Sequence, residues 1–232
     1  MINIYNIENI FRNDHIKVIA IDADDTLWYD AMYYSAFKKK FVQLFDGLYK
    51  EDTINNMIVR NRITSGEQGF VNAIITIAQN LSLCRDKMVI LNDEINKFIN
   101  HSIVLLPYVK QVINQLSKYR LILVTQGGRD IQNRKVINSG LEEKFDEKYI
   151  FTKKGFIEWQ EVLKHECIRS DQMLVIGNSL RHDIIPATQI GAHCIWLDHR
   201  WNEFGRDDTW SDVAPKITSW KTILEILGGN HK

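Results

Sequence analysis

Cysteine and proline are scarce, with three of each in 232 residues. Cys84, Cys167 and Cys194 lie far apart and none belongs to a CxxC pair. Neither a zinc cluster nor a disulfide framework is therefore expected, and a reduced, cytoplasmic setting is. Twelve glycines and three prolines are too few for a collagen-like or Gly/Pro-rich disordered chain. Excess charge of either sign is also missing, because 29 Lys plus Arg balance 29 Asp plus Glu. No basic surplus draws the chain to nucleic acid or to an anionic membrane surface, so neither is expected as a partner. Apolar runs stay far below the roughly 18 residues that a membrane span needs. The first residues, MINIYNIENIFRNDHIK, are interrupted by Asn, Glu, Arg and Asp. They show no basic start followed by an apolar block, and no signal peptide is expected.

What is present is an ordinary globular composition, 45% hydrophobic and 25% charged. The length is enough for one large domain or a domain with an insertion. Lys17–Ile21 is a β-branched run that reads as a strand buried on both faces. From Tyr29 the period changes: Tyr34, Phe37, Phe41, Leu44 and Leu48 recur three or four apart, which is helical spacing. Helical stretches follow around 54–60, 69–81 and 89–99, with no strand between them. After Pro107 the pattern alternates. Helices are expected over 107–118, 129–139, 156–167, 180–190 and 217–227. Strands are expected over 121–125, 149–151, 173–177 and 193–197. Strands alternating with helices imply a parallel sheet with right-handed crossovers. The fold class is thus α/β, a Rossmann-like parallel sheet flanked by helices, with an all-helical segment inserted after the first strand. Residues 198–215 read as a long loop, and 60–68 as a solvated connection between helices.

In an open parallel sheet, ligands bind beyond the carboxyl ends of the strands. The first strand is followed by Asp22-Ala-Asp24-Asp25-Thr26, and the second ends in Thr125-Gln126-Gly127-Gly128. Lys153-Lys154 follows the third, and Asn178-Ser179-Leu-Arg-His182-Asp183 the fourth. Each segment alone suits a turn, a helix cap or a solvated loop. Together they place carboxylates, a hydroxyl with backbone amides, an ammonium and a further carboxylate along one sheet edge. Two carboxylates suit Mg²⁺, a hard ion that shares oxygen ligands with phosphate. Lysine, hydroxyl and amides suit the charge of a transferring phosphoryl group.

This order resembles the haloacid dehalogenase (HAD) superfamily of hydrolases over about residues 16–228. The carriers are VIAIDADDTLW; LILVTQGG with Gln132, Lys135, Gly140-Leu141 and Phe145-Asp146; Lys153-Lys154-Gly; and VIGNSLRHDIIPATQIGA. The resemblance implies a core of residues 1–28 and 105–232 and a helical cap of 29–104. It makes Asp22 the nucleophile that forms an aspartyl-phosphate. It makes Asp24 the general acid for the leaving oxygen and then the base for water. Those roles need the two carboxylates in different protonation states. Thr26 fixes the loop, Asp25 is a turn residue, Thr125 and the Gln126 amide hold phosphoryl oxygens, and Lys154 neutralises phosphate and orients Asp22. Asp22, the Asp24 backbone carbonyl and Asp183 are the implied Mg²⁺ ligands. Spacing to Trp159 favours Lys154 over Lys153 as the site lysine. The fourth motif departs from the family in one place, where Asn178 stands for the usual acidic residue and Ser179 follows.

The function implied is a Mg²⁺-dependent phosphatase acting on a small phosphorylated metabolite. A phosphotransferase or phosphomutase is the alternative on the same residues, separated by how the cap closes. A 2-haloacid dehalogenase needs neither metal nor acid, and the presence of Asp24, Thr26 and Asp183 argues against it. A non-catalytic binding protein is invited only by Asn178. Substrate choice is assigned to the cap, with the 60–68 arginines as candidates for a second anionic group. Whether the chain acts as a monomer or a homodimer is left open.

Overall fold

The computed structural model describes residues 4–45, 47–61, 66–198 and 213–229. Residues 62–65 and 199–212, within the two expected loops, lie outside them. The chain divides into two compact units, Met1–Tyr29 with Ile103–Lys232, and Asp30–Ser102.

The first unit is a six-stranded parallel sheet. Its strands are β1 (Val18–Ile21), β2 (Arg120–Gln126), β3 (Glu147–Phe151), β4 (Met173–Gly177), β5 (His193–Leu197) and β6 (Lys216–Ile217). The spatial order is β3-β2-β1-β4-β5-β6, with every pairing parallel. Chain order runs outward from β1 in one direction and returns past it at β4. The switch point, where such sheets bind ligands, therefore falls at the carboxyl ends of β1 and β4.

Alternation along each strand builds two cores. Ile19, Ile21, Leu121, Leu123, Leu174, Ile176, Ile195 and Leu197 face one layer. Val18, Ala20, Ile122, Val124, Met173, Val175, Cys194 and Trp196 face the other. The first layer is closed by α1 (Ile4–Phe11), α6 (Val109–Gln115), α7 (Arg129–Ser139) and α10 (Trp220–Gly229). The second is closed by α8 (Phe156–Glu166) and α9 (Ile185–Gln189). Helices on both faces explain why the central strands are continuous apolar runs.

The second unit holds α2 (Ala31–Gln43), α3 (Glu51–Asn61), α4 (Gly66–Asn80) and α5 (Arg85–Ile99). Its own core is aromatic and aliphatic: Phe37, Phe41, Ile54, Ile58, Phe70, Ile74, Leu91, Ile95 and Phe98. Phe37 stacks on Phe98 at 5.0 Å between centroids. Tyr34 packs on Phe70 and Phe98, and Tyr33 stacks on His101. Among the described residues no helix is long and apolar enough to cross a membrane.

Several elements differ from the sequence expectation. α1 and β6 were not expected. The helix expected over 107–118 starts only at Val109, because Tyr108 takes φ +70°. The helix expected over 180–190 is a π turn, Leu180–Ile184, followed by the short α9. The N–H groups of Ile184 and Ile185 donate five residues back, to Ser179 O and Leu180 O, and Pro186 has no N–H to give to the carbonyl of His182. The indole of Trp159 donates to that carbonyl instead, at 3.0 Å.

Candidate active site

The turn after β1 is built by its own backbone. The Asp22 N–H donates to Ile176 O at 3.0 Å, carrying the β1–β4 ladder one residue further. The N–H groups of Thr26 and Leu27 both donate to Ala23 O, and Asp25 N–H donates to Trp28 O. Asp25 reverses the chain at φ +55°, a conformation that Asp tolerates better than most residues. Trp28 and Trp220, both fully buried, anchor the turn. The Trp220 indole donates to Thr26 O at 2.7 Å.

Asp22 and Asp183 are both buried, and one ammonium serves both. Lys154 Nζ donates to Asp22 Oδ1 and to Val124 O at 3.0 Å, and it contacts Asp183 Oδ1 at 2.5 Å. Thr26 Oγ1 donates to Asp22 Oδ2 at 2.8 Å and accepts the Asn178 N–H at 3.0 Å. The hydroxyl thus ties the β4 exit to the β1 carboxylate. Asn178 Oδ1 lies 3.3 Å from the same hydroxyl, and Asn178 O accepts the Trp196 indole at 2.9 Å. The Ser179 N–H donates to Asp183 Oδ2 at 2.9 Å, while Ser179 Oγ accepts the His182 N–H. A Cβ at Gly177 would stand 2.5–2.7 Å from the Asp183 side chain, so only glycine lets that carboxylate lie against the strand end.

Lys153 is exposed and Lys154 is buried. Two contacts fix the Lys154 backbone: its N–H donates to Gln126 Oε1 at 3.0 Å, and His182 Nδ1 donates to its carbonyl at 3.1 Å. The Gln126 side chain therefore holds the lysine loop. Thr125, 1% exposed, precedes Gln126, the last residue of β2.

Asp24 has a separate set of partners. Its Oδ1 accepts the Trp28 indole N–H at 2.8 Å, and its Oδ2 accepts Gln132 Nε2 at 2.8 Å. Lys135 Nζ donates to both oxygens, at 3.1 and 3.2 Å. In the sequence Gln132 and Lys135 stand only in the spacing of the second motif. Their i, i+3 separation on the helix that follows Gly128 is the signal that both face one point.

These surroundings move the two carboxylates apart. Burial and the nearby Asp183 charge push the Asp22 carboxyl up to about 7, against the opposing pull of Lys154 and Thr26. Burial also raises Asp24, but Lys135, Gln132 and Trp28 outweigh it and hold that carboxyl below the usual range. Asp24 is therefore displayed as an anion.

The residues present fit a hard divalent cation. Two buried carboxylates share one lysine, which leaves excess negative charge between them. Asp183 Oδ1 contacts the ammonium without hydrogen-bond geometry and accepts no hydrogen bond. Among the described residues no group of three or more His, Cys, Asp or Glu is arranged for a metal. A pair of buried carboxylates suits Mg²⁺, which keeps several waters and shares phosphate oxygens.

Residues 16–191 match the family model of haloacid dehalogenase-like hydrolases. The chain belongs to this family of hydrolases. No curated protein matches its sequence. Solved structures share its fold. A haloacid dehalogenase-like family hydrolase from Xanthomonas campestris is 20% identical, with 93% of this chain and 97% of that one covered and a TM-score of 0.77. The HAD-hydrolase YfnB from Bacillus subtilis, bound to magnesium, is 19% identical over 92% and 99%, with a TM-score of 0.61. A predicted phosphoglycolate phosphatase from Haemophilus somnus is 17% identical over 81% and 86%, with a TM-score of 0.56. Structures of 2-haloacid dehalogenases also match.

Proposed function

We propose that this hydrolase is a Mg²⁺-dependent phosphatase that cleaves a small phosphomonoester through an aspartyl-phosphate on Asp22. The observation that carries the reading is the shared burial of Asp22, Lys154 and Asp183 at the switch point of the sheet. A dehalogenase has no use for a second acid or for an excess of buried carboxylate, whereas a dianionic phosphate with a divalent cation uses both.

In this reading an Asp22 oxygen attacks phosphorus, and the bond to the leaving oxygen breaks. The resemblance makes Asp24 the acid for that oxygen; the donors around it favour its anion, the form that takes up the proton of water in the second step. Lys154 keeps Asp22 oriented and, with Thr125 and the Gln126 amide, faces the phosphoryl oxygens. Thr26 fixes the Asp22 rotamer through Oδ2. Asp22, Asp183 and the Asp24 carbonyl would hold Mg²⁺, whose charge offsets the repulsion between the two carboxylates. Asn178 leaves that metal site one negative charge short of the family pattern, and Asp183 supplies the remaining anionic ligand. We assign water as the acceptor, which makes the reaction a hydrolysis and not a transfer to a second hydroxyl. We assign the helical unit, inserted in sequence between the first and second motifs, the role of cap and of substrate selection. A cytoplasmic setting suits Cys84, Cys167 and Cys194, all of them free thiols.

The test is a panel of phosphorylated metabolites, assayed with Mg²⁺ and again after chelation. Inorganic phosphate release without an added acceptor, lost on chelation and lost in Asp22→Asn, is the expected result. Unchanged turnover in Asp22→Asn overturns the mechanism. Metal-free halide release from a 2-haloacid overturns the substrate class.

A further inference from the structure

We infer that Lys135 and Gln132 of α7 are positioning residues that hold Asp24 as the base for the hydrolytic step. The inference rests on the phosphatase reading above. The structural argument is a count of lone pairs. A carboxylate has about four acceptor sites, and here three donor groups converge on it: the Trp28 indole, the Gln132 amide and the Lys135 ammonium, which reaches both oxygens. Every partner is a donor, so the seat favours the anion, the form in which Asp24 takes a proton from water.

The seat is also firmly built. Lys135 and Gln132 are each 3% exposed, an unusual place for a lysine unless its charge is met. The Gln132 amide is fixed in direction, because Nε2 also donates to Gln126 O at 3.2 Å. A Cβ at Gly127 would lie 2.8 Å from that Nε2, so the motif-two glycine makes room for the seat. Gly128 caps the start of α7, which brings the helix's first turns to the loop after β2. Both residues meet the catalytic carboxylates at Asp24. Their effect on chemistry therefore runs through Asp24.

The step they serve is the second half of the reaction. Water attacks the phosphorus of the aspartyl-phosphate, and its proton passes to an Asp24 oxygen. The bond between phosphorus and the Asp22 oxygen breaks, the electron pair returns to the Asp22 carboxylate, and inorganic phosphate leaves. A carboxylate swung out of its seat takes that proton poorly.

The experiment uses p-nitrophenyl phosphate, whose leaving group needs no proton, with Mg²⁺ and the full chain. Phosphorylation of Asp22 then proceeds without Asp24, and loss of the base appears only afterwards. Lys135→Met and Gln132→Leu are expected to release a first-turnover burst of nitrophenolate. Their kcat should fall on the order of tenfold or more while kcat/KM stays within about twofold, because base catalysis acts after the phosphorylation step. Lys135→Arg, which keeps the cation, should show a smaller burst. A parallel fall of kcat and kcat/KM without a burst, or no change in either variant, overturns the inference. Gln132→Leu decides the matter if Lys135→Met does not fold. Asp24→Asn is the reference. A burst there but in neither α7 variant sinks this inference alone, and its absence there sinks the phosphatase role of Asp24.

Discussion

Lys154 Nζ stands 2.5 Å from Asp183 Oδ1, with the two side chains 2% and 0% exposed. The same ammonium is hydrogen-bonded to Asp22, which makes one cation the counter-charge of two buried anions. Removing one partner of a buried pair leaves uncompensated charge. Lys154→Met is expected to destabilise the fold by about 3–5 kcal/mol, read by urea denaturation. Adding Asp183→Asn to that variant should restore part of the loss. Lys153→Met, at an exposed position, should stay within about 0.5 kcal/mol of the parent. Equal effects at the two lysines would contradict the assignment of the site lysine.

Thr26 offers a sharper separation of shape from chemistry. Its hydroxyl donates to Asp22 and accepts from the Asn178 N–H. Thr26→Val keeps the volume and leaves that amide without its acceptor. It should cost about 1–3 kcal/mol of stability and lower turnover. Thr26→Ser, which keeps the hydroxyl, should recover most of both. Equal behaviour of the two variants would show that the methyl, not the hydroxyl, matters.

Gly177→Ala tests the approach of Asp183 to the strand end. The added methyl collides with the Asp183 carboxylate and its Cβ, and overpacking of this kind costs about 1–3 kcal/mol. Displacing Asp183 should also weaken Mg²⁺ binding, measured by calorimetry. Unchanged affinity would remove Asp183 from the proposed ligand set.

Far from the site, Glu166 accepts from Arg120 at 2.5 and 3.2 Å and from Tyr149 at 2.7 Å. Burial raises this carboxyl, but the donors outweigh burial and hold it below its ordinary value. A depressed folded value means that the stabilisation is complete above the unfolded carboxylate range, about pH 4. It is lost as pH falls through the folded value. Glu166→Gln should therefore cost about 1 kcal/mol at neutral pH, and the gap should close in acid. A gap that widens below pH 4 would contradict this.

How much of this was legible in the sequence follows from range. Continuous apolar runs mark β1 and β4, and residues just after such runs must lie at one sheet edge. Asp22 and Asp183 were readable for that reason. Asp24 was expected to face the same phosphate as Asp22, because residues two apart on an extended segment share a side. The donors that α7 brings to the Asp24 carboxylate are not visible in that spacing. The seat escaped notice because Lys135 looks like any helical surface lysine until tertiary packing buries it. α1 was hidden by its length, Ile7 and Phe11 being its described buried contacts. The His182 carbonyl in the π turn before α9 takes its donor from Trp159, which lies in another helix. β6 consists of two residues, too few for a pattern.

The central claim is that Asp22 is covalently phosphorylated. Acid quenching of Asp24→Asn after one turnover of p-nitrophenyl phosphate with Mg²⁺, followed by peptide mapping, tests it most directly. The account predicts a phosphoryl group on the peptide that carries Asp22, in step with the nitrophenolate released. Nitrophenolate release with free phosphate and an unmodified Asp22 peptide would contradict it.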